Sequence, residues 1–267
     1  MRSLKQLMDL HGRVALITGG AGHIGRAMGA ALAELGADIA VMDQDAQACA
    51  EVSHDLAAKH TIRSTPLAVD LRDEIAVKAA PAQVVKALGH MDILINCAGL
   101  APAQGVTGWA VPLAEQSSET WRMALEVNLT AAFLLAQAAA ETLAASGHGS
   151  IINVGSIYGL VGPDMRLYEN TPMGNPAAYA ASKGGLLQLT RWLATVMAPK
   201  VRVNSITPGG VWRNQPESFH EKYKARTPLG RMGAEEDFKG AAAYLASDLS
   251  AYVTGQNLIV DGGWTAW

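Results

Sequence analysis

Cysteine is nearly absent: Cys49 and Cys97 are the only two in 267 residues, and they stand far apart. That excludes a disulfide framework and a thiol-rich zinc site, and it fits a reducing compartment. Aromatic residues are also few, with 3 Phe and 6 Tyr, and the 6 Trp are too scattered to form a stacking platform for nucleic acid. Positive charge is not in excess: 21 Lys plus Arg against 24 Asp plus Glu leave a net charge of -3. Such a chain has little pull on a phosphate backbone or an anionic membrane, and no long basic run supplies a local one. No apolar run reaches about 18 residues, and Met1 to Leu10 lacks the unbroken apolar stretch of a signal peptide. The expectation is a cytoplasmic protein without a nucleic-acid or membrane partner. The 7 His show no metal-ligand spacing, so no metal is expected.

Small apolar residues fill the space left by the rings. The hydrophobic fraction is 49%, drawn from Ala, Leu, Val and Ile, which excludes general disorder. The 27 Gly follow no every-third pattern, which excludes a collagen-like chain.

Val14 to Ile17 reads as a strand ending at Thr18 in a glycine cluster, and helical spacing follows from Ala27 to Leu35 until Gly36. Asp38 to Met42 is a second strand ending at Asp43. Strand, glycine turn, helix and strand within about thirty residues make a βαβ unit with parallel strands. The alternation continues: helix 46 to 59, strand 64 to 69, and helix 74 to 88 with a break or kink expected at Pro81. Strand 93 to 95, a loop over 101 to 116 and one long helix from about 118 to 145 come next. Strand 150 to 154, helix 177 to 197, strand 201 to 206, helix 235 to 247 and strand 257 to 260 complete the pattern. Residues 157 to 176 break the rhythm, and an irregular stretch of that length tends to be a lid or a binding loop. The fold class expected is α/β, one domain over 1–267 with a substrate-loop insertion around 157–176.

Chemistry concentrates at the ends of the strands. Gly20, Gly22 and Gly25 have the spacing of a dinucleotide fingerprint, where small residues let backbone and helix N-terminal amides approach a pyrophosphate. Alone, such a turn can simply join a strand to a closely packed helix. Asp43 can accept hydrogen bonds from ribose hydroxyls and repel a 2'-phosphate, which favours NAD; it can also just cap the next helix. Asp70 is placed for an adenine-side contact or for an ordinary turn. Tyr179 and Lys183, four apart on a helix, share a face, and a nearby ammonium would lower the phenol's pKa for proton exchange. Ser156 supplies a hydroxyl that reaches the same place, and Asn128 puts an amide in an apolar helix, where it needs a partner. Cys97 has no His partner for nucleophilic chemistry and reads as a small packed residue.

Taken together, Thr18 to Gly25, Asp70, Asn96-Cys97-Ala98-Gly99, Asn128, Ser156, Tyr179-Ala180-Ala181-Ser182-Lys183, Pro208-Gly209 and Asp261-Gly262-Gly263 resemble the classical short-chain dehydrogenase/reductases over nearly the whole chain. The resemblance implies a Rossmann-type three-layer sandwich with a seven-stranded, mainly parallel sheet, assembled as a homotetramer or homodimer. It implies a catalytic set of Asn128, Ser156, Tyr179 and Lys183. A cofactor, NAD, would lie against Gly19, Gly22, His23, Ile24, Gly25, Asp43, Asp70, Leu71, Asn96, Ala98, Gly99, Tyr179, Lys183, Pro208, Gly209 and Val211.

The chain departs from the family pattern in three places. His23 stands where the family commonly has Gly, the stretch between Ser156 and Tyr179 is longer than usual, and Val211 to Asn214 replaces a frequent Thr. Ser156 to Gly159, Tyr168 to Asn170 and Asn214 to Pro216 are similar to oxidoreductases of bacterial surface-sugar pathways, including those of flagellin glycans. The activity implied is interconversion of a secondary alcohol and a carbonyl on a sugar, polyol or sugar acid. Arg166, Tyr168, Asn175, Trp212 and Asn214 are the candidates for holding that small-molecule substrate. A non-catalytic dinucleotide sensor or scaffold is the alternative, disfavoured because binding alone does not require Ser156, Tyr179 and Lys183 together.

Overall fold

A computed structural model describes residues 1–100 and 106–267. The strands are β1 (Val14–Thr18), β2 (Asp38–Asp43), β3 (Ser64–Ala68), β4 (Ile93–Asn96), β5 (Gly149–Val154), β6 (Val201–Pro208) and β7 (Asn257–Val260). They form one seven-stranded sheet in the order β3-β2-β1-β4-β5-β6-β7. Every pairing in it is parallel. The helices are α1 (Leu4–Met8), α2 (His23–Glu34), α3 (Ala46–His60), α4 (Glu74–Leu88), α5 (Ser118–Leu125), α6 (Ala131–Ser146), α7 (Ala177–Met197), α8 (Glu217–Arg226) and α9 (Lys239–Ala246).

Alternation along β1 explains the layers. Ala15 and Ile17 join one buried cluster with Met28, Leu32, Phe238 and Leu245. Val14 and Leu16 face the other way, into a cluster with Val84, Leu135, Leu143 and Leu193. Helices therefore cover both faces, which is why the central strands read as continuous apolar runs rather than as alternating ones. The strand order reverses between β1 and β4, the switch point beside which α/β sheets bind ligands at their carboxyl ends.

Two sequence readings need correction. Helix α4 runs unbroken through Pro81, because Pro81 lies buried with Val77, Ala80, Val84 and Leu88, and packing outweighs the lost backbone bond. The long helix expected from 118 is divided: α5 passes into a π-helical turn, Glu126–Thr130, before α6. The Ser118–Ser146 stretch is long and apolar enough by composition to cross a membrane, with a mean hydropathy of 1.4 over its most apolar 18 residues. Here α6 instead packs on α4, burying Leu134, Leu135, Ala139 and Leu143. The stretch before 235 holds α8. Of the loop expected over 101 to 116, residues 101 to 105 lie outside those described.

The stretch 157 to 176 holds two short 3-10 turns, Ile157–Gly159 and Met165–Tyr168. Ile157 and Leu167 pack with Phe219, Tyr223, Met232 and Trp264 in a small cluster apart from the two main ones. The insertion is thus seated on α8 and the C-terminal segment.

Candidate active site

The first turn after β1 is built for close approach. Gly19 has φ +62, and a Cβ there would lie 2.8 Å from the Cα of Ala98. A Cβ on Gly25 would collide with the Gly19 carbonyl. Helix α2 begins beyond it with Gly22 at its N-cap and no side chain satisfying its first amides, unlike α3 and α4, which Asp45 and Asp73 cap. Open helix N-terminal amides beside a glycine turn fit the pyrophosphate of a dinucleotide. Gly22, His23, Ile24 and Gly25 all line a cavity of about 960 Å³. Asp43 lines the same cavity from the end of β2, its carboxylate accepting the Gln44 amide at 2.8 Å. Asp70 and Leu71 line it from the end of β3, with Asp70 held below the usual carboxylate range by its hydrogen bonds from Arg72.

The polar side chains at the strand ends hold one another. The Thr18 hydroxyl accepts the amides of Cys97 and Ala98, both at 3.1 Å, while Asn96 donates to Asn153 at 2.8 Å. Ser156 follows β5, with its hydroxyl oxygen accepting the Tyr158 amide at 3.2 Å. In α7, Lys183 is buried and donates to the Val154 carbonyl at 2.8 Å. Burial lowers its ammonium from the ordinary 10.5 to about 8. Tyr179 moves opposite to the sequence expectation: burial pushes its phenol up, and the hydrogen bond with Ser156 only partly opposes it. The Lys183 ammonium stands 5.9 Å from the Tyr179 ring centre and is already engaged by Val154. Asn128 sits in the π turn, accepting the Leu100 amide at 2.6 Å and donating to Ser182 at 2.9 Å. Ser182 in turn donates to the Tyr179 carbonyl at 2.9 Å. Asn128 thus ties the segment after β4 to the helix that carries Tyr179 and Lys183.

The family model described as Enoyl-(Acyl carrier protein) reductase matches residues 19–265. Galactitol 2-dehydrogenase (L-tagatose-forming) of Cereibacter sphaeroides is 35% identical over 98% of this chain and 99% of its own. L-rhamnose 1-dehydrogenase (NAD(P)(+)) of Sphingomonas sp. (strain SKA58) is 33% identical over 95% of this chain and 96% of its own. Among solved structures, a gluconate 5-dehydrogenase from Burkholderia cenocepacia J2315, in complex with NADP and tartrate, superposes with a TM-score of 0.88 at 30% identity, covering 99% of this chain and 100% of that one. The chain belongs to the classical short-chain dehydrogenase/reductase family. It is an NAD(P)-dependent oxidoreductase of that family.

Within this dehydrogenase fold, most of the residues named from sequence converge on one cavity. Gly19, Ala98, Gly99, Ser156, Tyr179, Lys183, Pro208, Gly209 and Val211 line it. Asn96 and Asn128 do not; they line a small adjoining space behind it. Cys97 does line the cavity, and burial pushes its thiol up to about 12, so it stays protonated. On the substrate side, Tyr168 and Asn175 line the cavity, but Arg166, Trp212 and Asn214 do not.

Each of those three placements has a local cause. Arg166 is turned onto Asp164, two positions away, through bonds of 2.8 and 2.7 Å, and its side chain is 77% exposed. Trp212 stacks on His220 with ring centres 4.0 Å apart. Asn214 takes the left-handed conformation, φ +56, while its neighbours Arg213 and Gln215 face the cavity instead. Tyr158, Trp109, Phe219 and Tyr223 also line the cavity and were missed. The Tyr158 position was legible in the Ser156-Ile157-Tyr158-Gly159 run; the others come from segments whose approach no local pattern encodes.

Proposed function

We propose that this oxidoreductase uses NAD to interconvert a secondary alcohol and a carbonyl on a polyol or a closely related sugar. The observation that carries the reading is the convergence of Ser156, Tyr179 and Lys183 on the cavity that the glycine turn opens. NAD, when bound, supplies or accepts the hydride. Tyr179 takes the hydroxyl proton in oxidation and returns it in reduction. Ser156 orients the reacting oxygen from the end of β5, its own hydroxyl oxygen held by the Tyr158 amide. Lys183, anchored by Val154, keeps a cation beside the phenol and within reach of a ribose. The π turn widens the helical ladder beside Tyr179, and such turns recur where backbone groups serve a site, here a route for the proton near Asn128. The Cereibacter and Sphingomonas relatives, a polyol and a sugar dehydrogenase by name, support the substrate class.

Asp43 supports NAD over NADP, because a 2'-phosphate would bring like charges together at a partly buried wall. Arg72, the nearby cation on that wall, is already paired with Asp70. Paired titrations should show tighter binding of NAD than of NADP, and Asp43→Ala should narrow the difference by about tenfold or more. Tighter NADP binding by the unmodified protein would reject the preference. Reduction of NAD by galactitol or xylitol, followed by nicotinamide absorbance, tests the substrate class.

A further inference from the structure

Tyr158, Tyr168 and Asn175 form a connected polar wall inside the substrate end of the cavity. The Tyr168 hydroxyl donates to the Tyr158 oxygen at 2.8 Å, and the Asn175 amide nitrogen makes a long contact, 3.5 Å, to Tyr168. All three line the cavity. Two hydrogen-bonding valences remain unused. The two phenols share one hydrogen bond, so among the described residues one phenolic proton of the pair has no acceptor, and the Asn175 carbonyl oxygen is buried without a partner. A buried amide oxygen without a partner costs about 1–3 kcal/mol and calls for a ligand group that donates to it. The wall is also stiff: Tyr158 meets Trp264 edge-on with ring centres 6.1 Å apart, and Tyr168 packs on Phe219 at 5.4 Å. Burial, together with the neighbouring Tyr168 and Tyr179, pushes the Tyr158 phenol far above its ordinary value, so it remains a donor.

One free donor and one free acceptor, joined through a single phenol, suit a group that both accepts and donates. A hydroxyl accepts and donates at once; a carboxylate only accepts and would face the Asn175 oxygen. The cations nearest this end are already committed. Arg166 is turned out onto Asp164, and Arg213 pairs with Glu235 at 2.7 Å. We infer that Tyr158 and Asn175 are specificity-determining residues that hold a second, non-reacting hydroxyl of a neutral polyol, so that this enzyme selects polyols over both simple alcohols and sugar acids. Ser156 and Tyr158 are two positions apart on the same turn, which couples recognition of the second hydroxyl to orientation of the reacting one. The inference rests on the polyol reading proposed above and narrows it to uncharged substrates.

The test compares kcat/KM for galactitol, xylitol, gluconate and cyclohexanol in wild type, Tyr158→Phe and Asn175→Ala, each with saturating NAD. Wild type should prefer one of the polyols to gluconate. Tyr158→Phe, which keeps the ring against Trp264, should lower polyol kcat/KM by about 10- to 100-fold while moving cyclohexanol by less than about twofold. Asn175→Ala should lower polyol kcat/KM in the same selective way. Polyol turnover unchanged in both variants, equal losses on polyols and cyclohexanol, or a wild-type preference for gluconate would overturn the inference and leave the alcohol/carbonyl assignment standing. Turnover of cyclohexanol with none of the two polyols would remove the polyol reading itself, and this inference with it.

Discussion

Lys183 is a buried cation in the cavity wall, and its burial has a measurable consequence. Its ammonium loses its proton near pH 8 in the folded chain and near 10.5 in the unfolded one. Below about pH 8 both states are charged and the full cost of burying the charge is present; between 8 and 10.5 the unfolded state binds more protons, so stability rises with pH. In Lys183→Met that slope is absent, while the loss of the Val154 partner is the same at every pH. The stability of wild type relative to Lys183→Met should therefore improve by about 3 kcal/mol between about pH 7.5 and pH 10.5, read from urea unfolding. A difference that stays flat would contradict the buried ammonium. Tyr179 and Lys183 were legible in the sequence because four-residue spacing on a helix is itself a spatial statement. Arg166 was not, because loop residues have no period, and an aspartate two positions away decided where its guanidinium went.

At the scale of elements, the π turn between α5 and α6 joins α7 to the loop after β4 through Asn128. The sequence pattern does not mark it: Glu126-Val127-Asn128-Leu129-Thr130 continues in helix-compatible residues, and one extra residue in a single turn shifts the apolar period too little to be read over so short a stretch. Asn128 was the visible sign, a buried amide needing partners in an apolar helix. The structure gives it Leu100 and Ser182, so its side chain acts first as a clamp. Asn128→Ala should cost about 1–3 kcal/mol by leaving the Leu100 amide without an acceptor, and should lower kcat as α7 loses its register through Ser182. Urea unfolding and steady-state kinetics read the two effects. Full stability together with full turnover would remove Asn128 from both roles. The α4 helix teaches the converse: Pro81 argued for a break from sequence, but a buried face supplied what the missing amide withheld.

The whole molecule is legible where it repeats. Strand and helix alternate with enough contrast that the seven parallel strands and the ligand crevice at their carboxyl ends follow from the sequence pattern and the switch-point rule. What closes the crevice is less regular. The 157 to 176 insertion, α8 and Trp264 meet from three distant parts of the chain, and only their packing shows that Tyr158, Tyr168 and Asn175 share a wall. The account as a whole requires that the cavity both hold the dinucleotide and exchange a proton through one phenol. Tyr179→Phe separates those two demands, since it removes the hydroxyl and keeps the ring. Measured against wild type with the best substrate of the alcohol panel, it should lose about 10²- to 10⁴-fold in kcat while its NAD dissociation constant stays within about twofold. A variant that binds NAD normally and still turns over at the wild-type rate would contradict the account.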